Sequence, residues 1–141
     1  MNDSNIISKW KGATPYLQSV LRIFSALLLV ASGSVILFAF PVGMPPNGAR
    51  AELMSQTGIG GILQFFGGIL LALGLFTRPV AFILSGMMAV AFFQFHFKPE
   101  WPAGILPNLN NGSPSALLCF IYLFFSAAGG GKWSIDSKRG G

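Results

Sequence analysis

Charge is scarce in this sequence. Of its 141 residues only 9% are Asp, Glu, Lys or Arg, whereas soluble domains carry roughly a quarter. Acidic residues are the rarest, four against nine basic ones, for a net charge of +5. The basic residues do not gather on one polar face, so no nucleic-acid surface is expected. There is one cysteine, Cys119, and one histidine, His96. A lone cysteine excludes an internal disulfide and a Cys-x-x-Cys redox cycle. A lone histidine excludes a two-histidine haem site within the chain. No Cys/His cluster has zinc spacing. A P-loop, a nucleotide-binding glycine fingerprint and a Ser/His/Asp set are all missing. The sequence thus shows no metal site and no cofactor motif.

What it does have is apolar side chain: 52% of residues are hydrophobic and the mean hydropathy is +0.64. A soluble core of this length could not hide so much, which points to a lipid bilayer. A bilayer core about 30 Å thick takes about 20 apolar helical residues. Four runs meet or approach that length: 17–40, 58–76, 80–97, and 115–128 extended by a glycine triplet to 131. They are continuous rather than alternating, and too few for a barrel. The expectation is a single all-α domain, an integral membrane four-helix bundle. Pro41, Pro99 and Pro102 mark helix ends, Pro114 suits a helix start, and the triplet Gly129–Gly131 suits a helix stop. The run through Phe40 is too long for the core of a cleaved signal.

Thr77-Arg78-Pro79 is expected to be a very tight turn between two antiparallel spans, with Arg78 at the water surface. Four spans then place Lys9, Lys11, Arg78, Lys132, Lys138 and Arg139 on one side, with Arg50 and Lys98 balanced by Glu52 and Glu100 on the other. The positive-inside rule makes both termini cytoplasmic. Trp10, Trp101 and Trp133 lie just outside the spans, where interfacial indoles are common. In the outer loop a short surface helix is expected near Asn47, and residues 132–141 are expected to form a mobile tail.

At helical spacing each span carries a stripe of small and polar residues: Arg22, Ser25, Leu29 and Ser32; Gly60, Gln64, Gly67, Leu71 and Gly74; Ser85, Ala89, Phe92 and His96; Ser115, Cys119, Tyr122 and Ser126. Small residues allow close approach in lipid and polar ones bond between helices, so the stripes should face inward. Gln64, His96, Ser32 and Cys119 fall in the outer half, Tyr122 near the middle, and Arg22 and Ser126 in the inner half. Arg22 has no acidic partner within any span. It either snorkels to the headgroups or grips an anion, a lipid headgroup or a quinone carbonyl with its guanidinium. His96 either caps the interface with water or serves as a ligand or proton relay near neutral pH. Gln64 reads as interhelical glue or a substrate contact, and Cys119 as a small packer or a reactive thiol. Tyr122 donates one hydrogen bond, to a neighbouring carbonyl or to a ligand. Met87-Met88 reads as packing.

The stretch FFGGILLALGLFTRPVAFILSG, residues 65–86, resembles the signature of the DoxX family of small four-helix membrane proteins. The similarity continues in Val20-Leu21-Arg22, in Met88 to His96, and in LNNG through SAAGGGKWSID, Leu109 to Asp136. It covers nearly all the chain from Val20, and carries over Arg22, Gly67, Gly68, Gly74, Arg78, His96, Asn111, Gly112 and Asp136. The resemblance implies a multi-pass protein of a bacterial-type inner membrane. Some members are linked to thiosulfate:quinone oxidoreductase and others to membrane redox or thiol-stress complexes. The family pattern often has histidine near Ser32, lysine near Ile36, and glutamate at Gln64, Met87 and Pro114, and this chain lacks those ionisable groups. Two readings follow. One is a redox-linked inner-membrane component that binds quinone in the bundle and receives electrons from a partner. The other is a non-catalytic accessory subunit of a larger complex. A small transporter is a third, weaker reading, since no pair of intramembrane carboxylates is present. Expected partners are the lipid bilayer and either a membrane protein or a second copy of the chain. The residues leave open whether the chain is itself an enzyme.

Overall fold

A computed structural model describes residues 3–140. It is all-helical apart from one isolated bridge, Met44 with Ala49. Helix α1 runs Asp3–Phe38, α2 Gln56–Leu73, α3 Thr77–His96, α4 Ser113–Ala128 and the single-turn α5 Ile135–Lys138. Among the described residues α1, α2 and α3 are long and apolar enough to cross a membrane, while α4 is apolar but shorter. The expected fourth span to residue 131 ends early. Gly129 leaves the helical region at φ 82° and ψ −170°, so α4 has 16 residues, about 24 Å of helix.

Helix α1 begins well before the expected Leu17. Its 36 residues make about 54 Å of helix, far more than a bilayer core needs. Residues 3–12 are exposed throughout. The expected helix near Asn47 is absent. Pro45 and Pro46 supply no N–H and disfavour helical conformation before them, and the chain makes a tight loop there, with Met44 N donating to Ala49 O at 3.0 Å. The helix starts later, at Gln56, where the Ser55 hydroxyl accepts from Gly58 N at 3.0 Å, an ordinary N-cap.

Small residues set the packing of α1 against α2. A Cβ at Gly33 would lie 2.6 Å from Phe65 N, one at Gly61 2.5 Å from Ile36 Cγ2, and one at Gly68 2.8 Å from Val30 Cγ2. Gly67, one step around, would meet Leu84 of α3 at 3.0 Å. The Gly67-Gly68 pair therefore brings α2 close to both neighbours, as packing without a hydrophobic drive requires. Ala26, Leu29, Leu71, Ala81, Leu84, Met88, Tyr122 and Phe125 form the buried core between the helices. On α1 the inward face is Arg22, Ala26, Leu29, Gly33 and Leu37. Ser32, expected inward, is exposed, because that face passes through Gly33 and leaves Ser32 about 100° away.

Both long return helices contain a wider, π-helical turn, at Leu63–Gly67 in α2 and at Phe92–His96 in α3. Such turns add a residue and rotate everything beyond them, and they frequently accompany function. The buried residues of α2 are Gly58, Gly61, Gly68 and Leu71, so the inward glycines lie one position on from the expected Gly60 and Gly67.

The packing yields a test with two signs. Gly33→Ala forces a Cβ into the α2 backbone and should destabilise by about 1–3 kcal/mol. Gly86→Ala, in mid-helix with nothing within 4 Å of a Cβ, should stabilise by about 0.5–1 kcal/mol. Thermal unfolding in detergent reads both; equal shifts would contradict the close α1–α2 approach.

Candidate functional site

The bundle has two differently built ends. At the first, Arg22 lies fully buried. Its Nε donates to Gly130 O at 2.8 Å, Nη1 to Leu71 O and Ala72 O at 2.5 Å each, and Nη2 to Trp133 O at 2.6 Å. Leu71 and Ala72 belong to the last turn of α2, whose carbonyls lack i+4 partners within the helix; that of Leu71 also accepts from the capping Gly74 N at 3.1 Å. Snorkelling is thus ruled out by burial, and the fork is spent on backbone rather than offered to a ligand. A hydrogen bond to a charged group contributes about 1.5–3 kcal/mol. Four of them outweigh an insertion cost of about 2.5–3.5 kcal/mol for the charge.

The segment after α4 is wound onto this anchor. Lys132 N donates to Pro15 O at 3.1 Å, Trp133 N to Ser19 Oγ at 2.9 Å, and Gln18 Nε2 to Gly129 O at 2.7 Å. Gly131 has φ 82° and leaves only 2.5 Å between a Cβ and Ser19 Oγ, so a larger residue fits neither the dihedral nor the space. Residues 132–139, expected as a mobile tail, are instead docked. Ser134 is buried and caps α5. Asp136 reaches back across the bundle, its carboxylate accepting from Phe76 N at 2.9 Å and Thr77 N at 2.8 Å. It serves as the N-cap of α3 from 59 residues away. Burial opposes its ionisation, but the bonds from Thr77 and Phe76 and the charge on Arg139 prevail and hold its carboxyl below the usual carboxylate range.

This docking relocates the turn between α2 and α3. Gly74 at φ 68° and Phe76 at φ 51° make it, and Thr77-Arg78-Pro79 forms the first turn of α3. Pro79 is tolerated because N–H groups there have no helical partner. Arg78 is exposed and donates from Nη1 to Ala127 O. A left-handed Phe76 costs about 1–2 kcal/mol, and its N–H is held by Asp136.

At the opposite end, between α2 and α3, lies a cavity of about 530 Å³. Its walls are mostly apolar, including Ile36, Leu63, Ile83, Met87, Met88 and Phe95. Its polar groups are Gln56, Thr57, Gln64, Gln94, His96 and Ser115. One π-helical turn supplies Gln64 to it, and the other supplies Gln94 and His96. Gln56 Nε2 donates to Gln94 Oε1 across the gap. Gln64 Oε1 is buried and has no hydrogen-bond partner among the described residues. His96 Nδ1 lies 3.3 Å from Asn110 O. A carbonyl only accepts, so a hydrogen bond there puts the proton on Nδ1 and leaves Nε2 of a neutral ring as an acceptor. Ile59, Ile83, Val90 and Phe95 of the wall are exposed apolar side chains, so the cavity opens sideways on a hydrocarbon-facing surface.

Of the six candidate ligand residues, the structure brings only Gln64 and His96 together in this cavity. Arg22 is an internal anchor. Tyr122 is buried and donates to Ser25 O at 2.9 Å. Cys119 sits in the α3–α4 contact, its carbonyl accepting from Ser85 Oγ at 2.8 Å. Ser32 faces outward. Reading the sequence missed Gln56 and Gln94. The signal for Gln94 was its isolation as a polar residue in the apolar run FFQFHF.

A family model described as DoxX matches residues 17–97. A protein of Haemophilus influenzae (strain ATCC 51907 / DSM 11121 / KW20 / Rd), described as an uncharacterized protein, is 36% identical over 125 residues, 88% of this chain and 91% of that one. No solved structure matches.

If Arg22 is the anchor of the first end, its loss removes four hydrogen bonds at once. Arg22→Met should cost about 3–5 kcal/mol, the range for breaking a buried charged network. Arg22→Lys should recover only part, since an ammonium cannot reproduce the planar fork. Limited proteolysis after residue 131 reads the release of the docked segment. A Met variant whose C-terminal segment stays protected would sink this account.

Proposed function

This chain is a membrane protein of the DoxX family, and from that premise we propose that the cavity between α2 and α3 binds a quinone from the bilayer. The observation that carries the reading is Gln64 Oε1, a buried acceptor without a partner in an otherwise apolar cavity. A buried polar group left unpaired costs about 1–3 kcal/mol, and the hydroxyl of the reduced, quinol form offers the missing donor, which a quinone carbonyl cannot. The volume lies within the usual range for small-molecule sites, about 300–1,000 Å³. The walls suit a flat apolar ring, and the lateral opening suits a lipid-soluble molecule. When bound, a quinone supplies two-electron, two-proton redox chemistry.

The chain's own residues do less. Gln64 and His96 bind and orient the ring's oxygens, and Gln56 and Gln94 tie α2 to α3 beside them. Met87 and Met88 supply adaptable apolar contact. Three positions where the family pattern often has an ionisable residue, Ile36, Gln64 and Met87, line this cavity. In this chain all three are uncharged. That supports binding of a neutral ligand over acid–base catalysis, which needs titrating groups. His96 is the one imidazole of the cavity wall. The electron donor is then a partner, and the chain is the quinone-holding component of a redox pair in an inner membrane, with the Arg78 end cytoplasmic.

Titration of the purified protein with a short-chain quinol tests the site. Gln64→Leu and His96→Leu should each weaken binding about fivefold, the equivalent of one hydrogen bond of about 1 kcal/mol. Wild-type affinity in both variants would remove the cavity as a quinone site. Orientation is tested by labelling with a membrane-impermeant thiol reagent in a Cys119→Ser background. Asn47→Cys should react in intact spheroplasts and Lys138→Cys only after lysis; the reverse pattern would invert the topology.

A further inference from the structure

A second cavity, of about 610 Å³, opens at the Arg22 end. It is bounded by α1 at Pro15 and Gln18, by the start of α3, by the glycine triplet, and by α5. Its charged lining residues are Arg78, Arg139 and Asp136. Asp136 is occupied with the amides of Phe76 and Thr77. Arg78 uses Nη1 on Ala127 O, and its Nε and Nη2 lie beside Gly129, 3.7 and 3.6 Å from where a Cβ would be. Arg139 lies with its guanidinium carbon 5.8 Å from the centre of the Phe76 ring. Two guanidinium groups thus flank one cavity whose carboxylate is already committed, leaving a formal charge of +1 there (two arginines less one aspartate). Lys132 and Lys138 are exposed on the same docked segment.

We propose that this cavity is a phosphate site that takes a monoanionic phosphate group, as a phospholipid headgroup or as free phosphate. Arginine's planar fork matches phosphate oxygens in pairs, and basic pockets between helices at a membrane surface bind anionic headgroups. The Pro15, Phe76, Pro79 and Ala128 walls give an apolar approach from the side. The edge-to-face pair of Tyr16 and Trp133, centroids 5.6 Å apart, lies at the same end, and such rings settle at headgroup level. One negative charge balances the lining. Nothing in this reading depends on the cavity between α2 and α3.

The test uses the full chain in detergent. Native mass spectrometry follows retention of added phosphatidylglycerol against phosphatidylcholine, and calorimetry follows inorganic phosphate. Preferential retention of phosphatidylglycerol identifies the headgroup, and phosphate binding without lipid preference identifies the free anion; both support the site. Arg139→Gln, on the exposed last turn, should weaken binding about fivefold, and Arg139→Gln with Arg78→Gln about 25-fold, at about 1 kcal/mol for each charge. The charge-matched control Lys9→Gln with Lys11→Gln, on the exposed start of α1, should leave it unchanged. Neither ligand binding, or equal loss in the control, overturns the proposal.

Discussion

The buried guanidinium of Arg22 holds the first end of the molecule together. Its four bonds reach two segments far apart in sequence, the end of α2 and the stretch beyond α4. Everything else at that end follows from those two being fixed. With Gly130 and Trp133 held, Ser134 is buried and caps α5. With α5 in place, Asp136 reaches the amides of Phe76 and Thr77 and starts α3. A cation inside a span without an acidic partner thus has a structural role. Its acceptors are carbonyls that the ends of helices and irregular backbone always leave over, and lipid offers no other donor for them.

The helices and their apolar character were legible in the sequence, because hydropathy alone constrains what a bilayer accepts. Gly68 and Gly74 were legible as well, as small residues demanding close approach or a left-handed turn. The partners of Arg22 were not. Backbone carbonyls leave no mark in a sequence, so the search for a partner among side chains found none. Asp136 was legible only through family resemblance. A cap supplied from 59 residues away has no local signature, and the glycine-rich KWSIDSKRGG segment reads as a tail. Helix α1 began early because nothing in residues 3–16 breaks a helix except Pro15, which the structure accommodates inside it.

The cavity between α2 and α3 was half legible, for a geometric reason. Gln64 and His96 were found as lone polar residues in apolar runs. Each lies in a π-helical turn of its helix. Gly61 and Gly68 are buried where Gly60 and Gly67 were expected inward, the same one-residue offset before and after the turn of α2. The turn of α3 lies opposite the start of α2, where Gln94 meets Gln56, and the turn of α2 lies opposite Leu84 of α3, so the cavity draws its polar groups from two levels that spacing along one helix does not connect.

The two ends divide the polar chemistry of the chain. At the Arg22 end, cations and backbone meet and the one carboxylate is fully engaged. At the other, the cavity is neutral, with amides, a hydroxyl or two and a single imidazole. A proton-coupled site in lipid needs a group that titrates and a path for the proton. Amides titrate nowhere in the accessible range, and the one imidazole, beside Asn110 O, has no chain of titrating neighbours along the cavity wall. Such a site can hold a neutral ligand and tell a donor from an acceptor. Its residues hold and orient a ligand rather than supply acid–base chemistry to it, and under the quinone-binding proposal the electrons come from a partner.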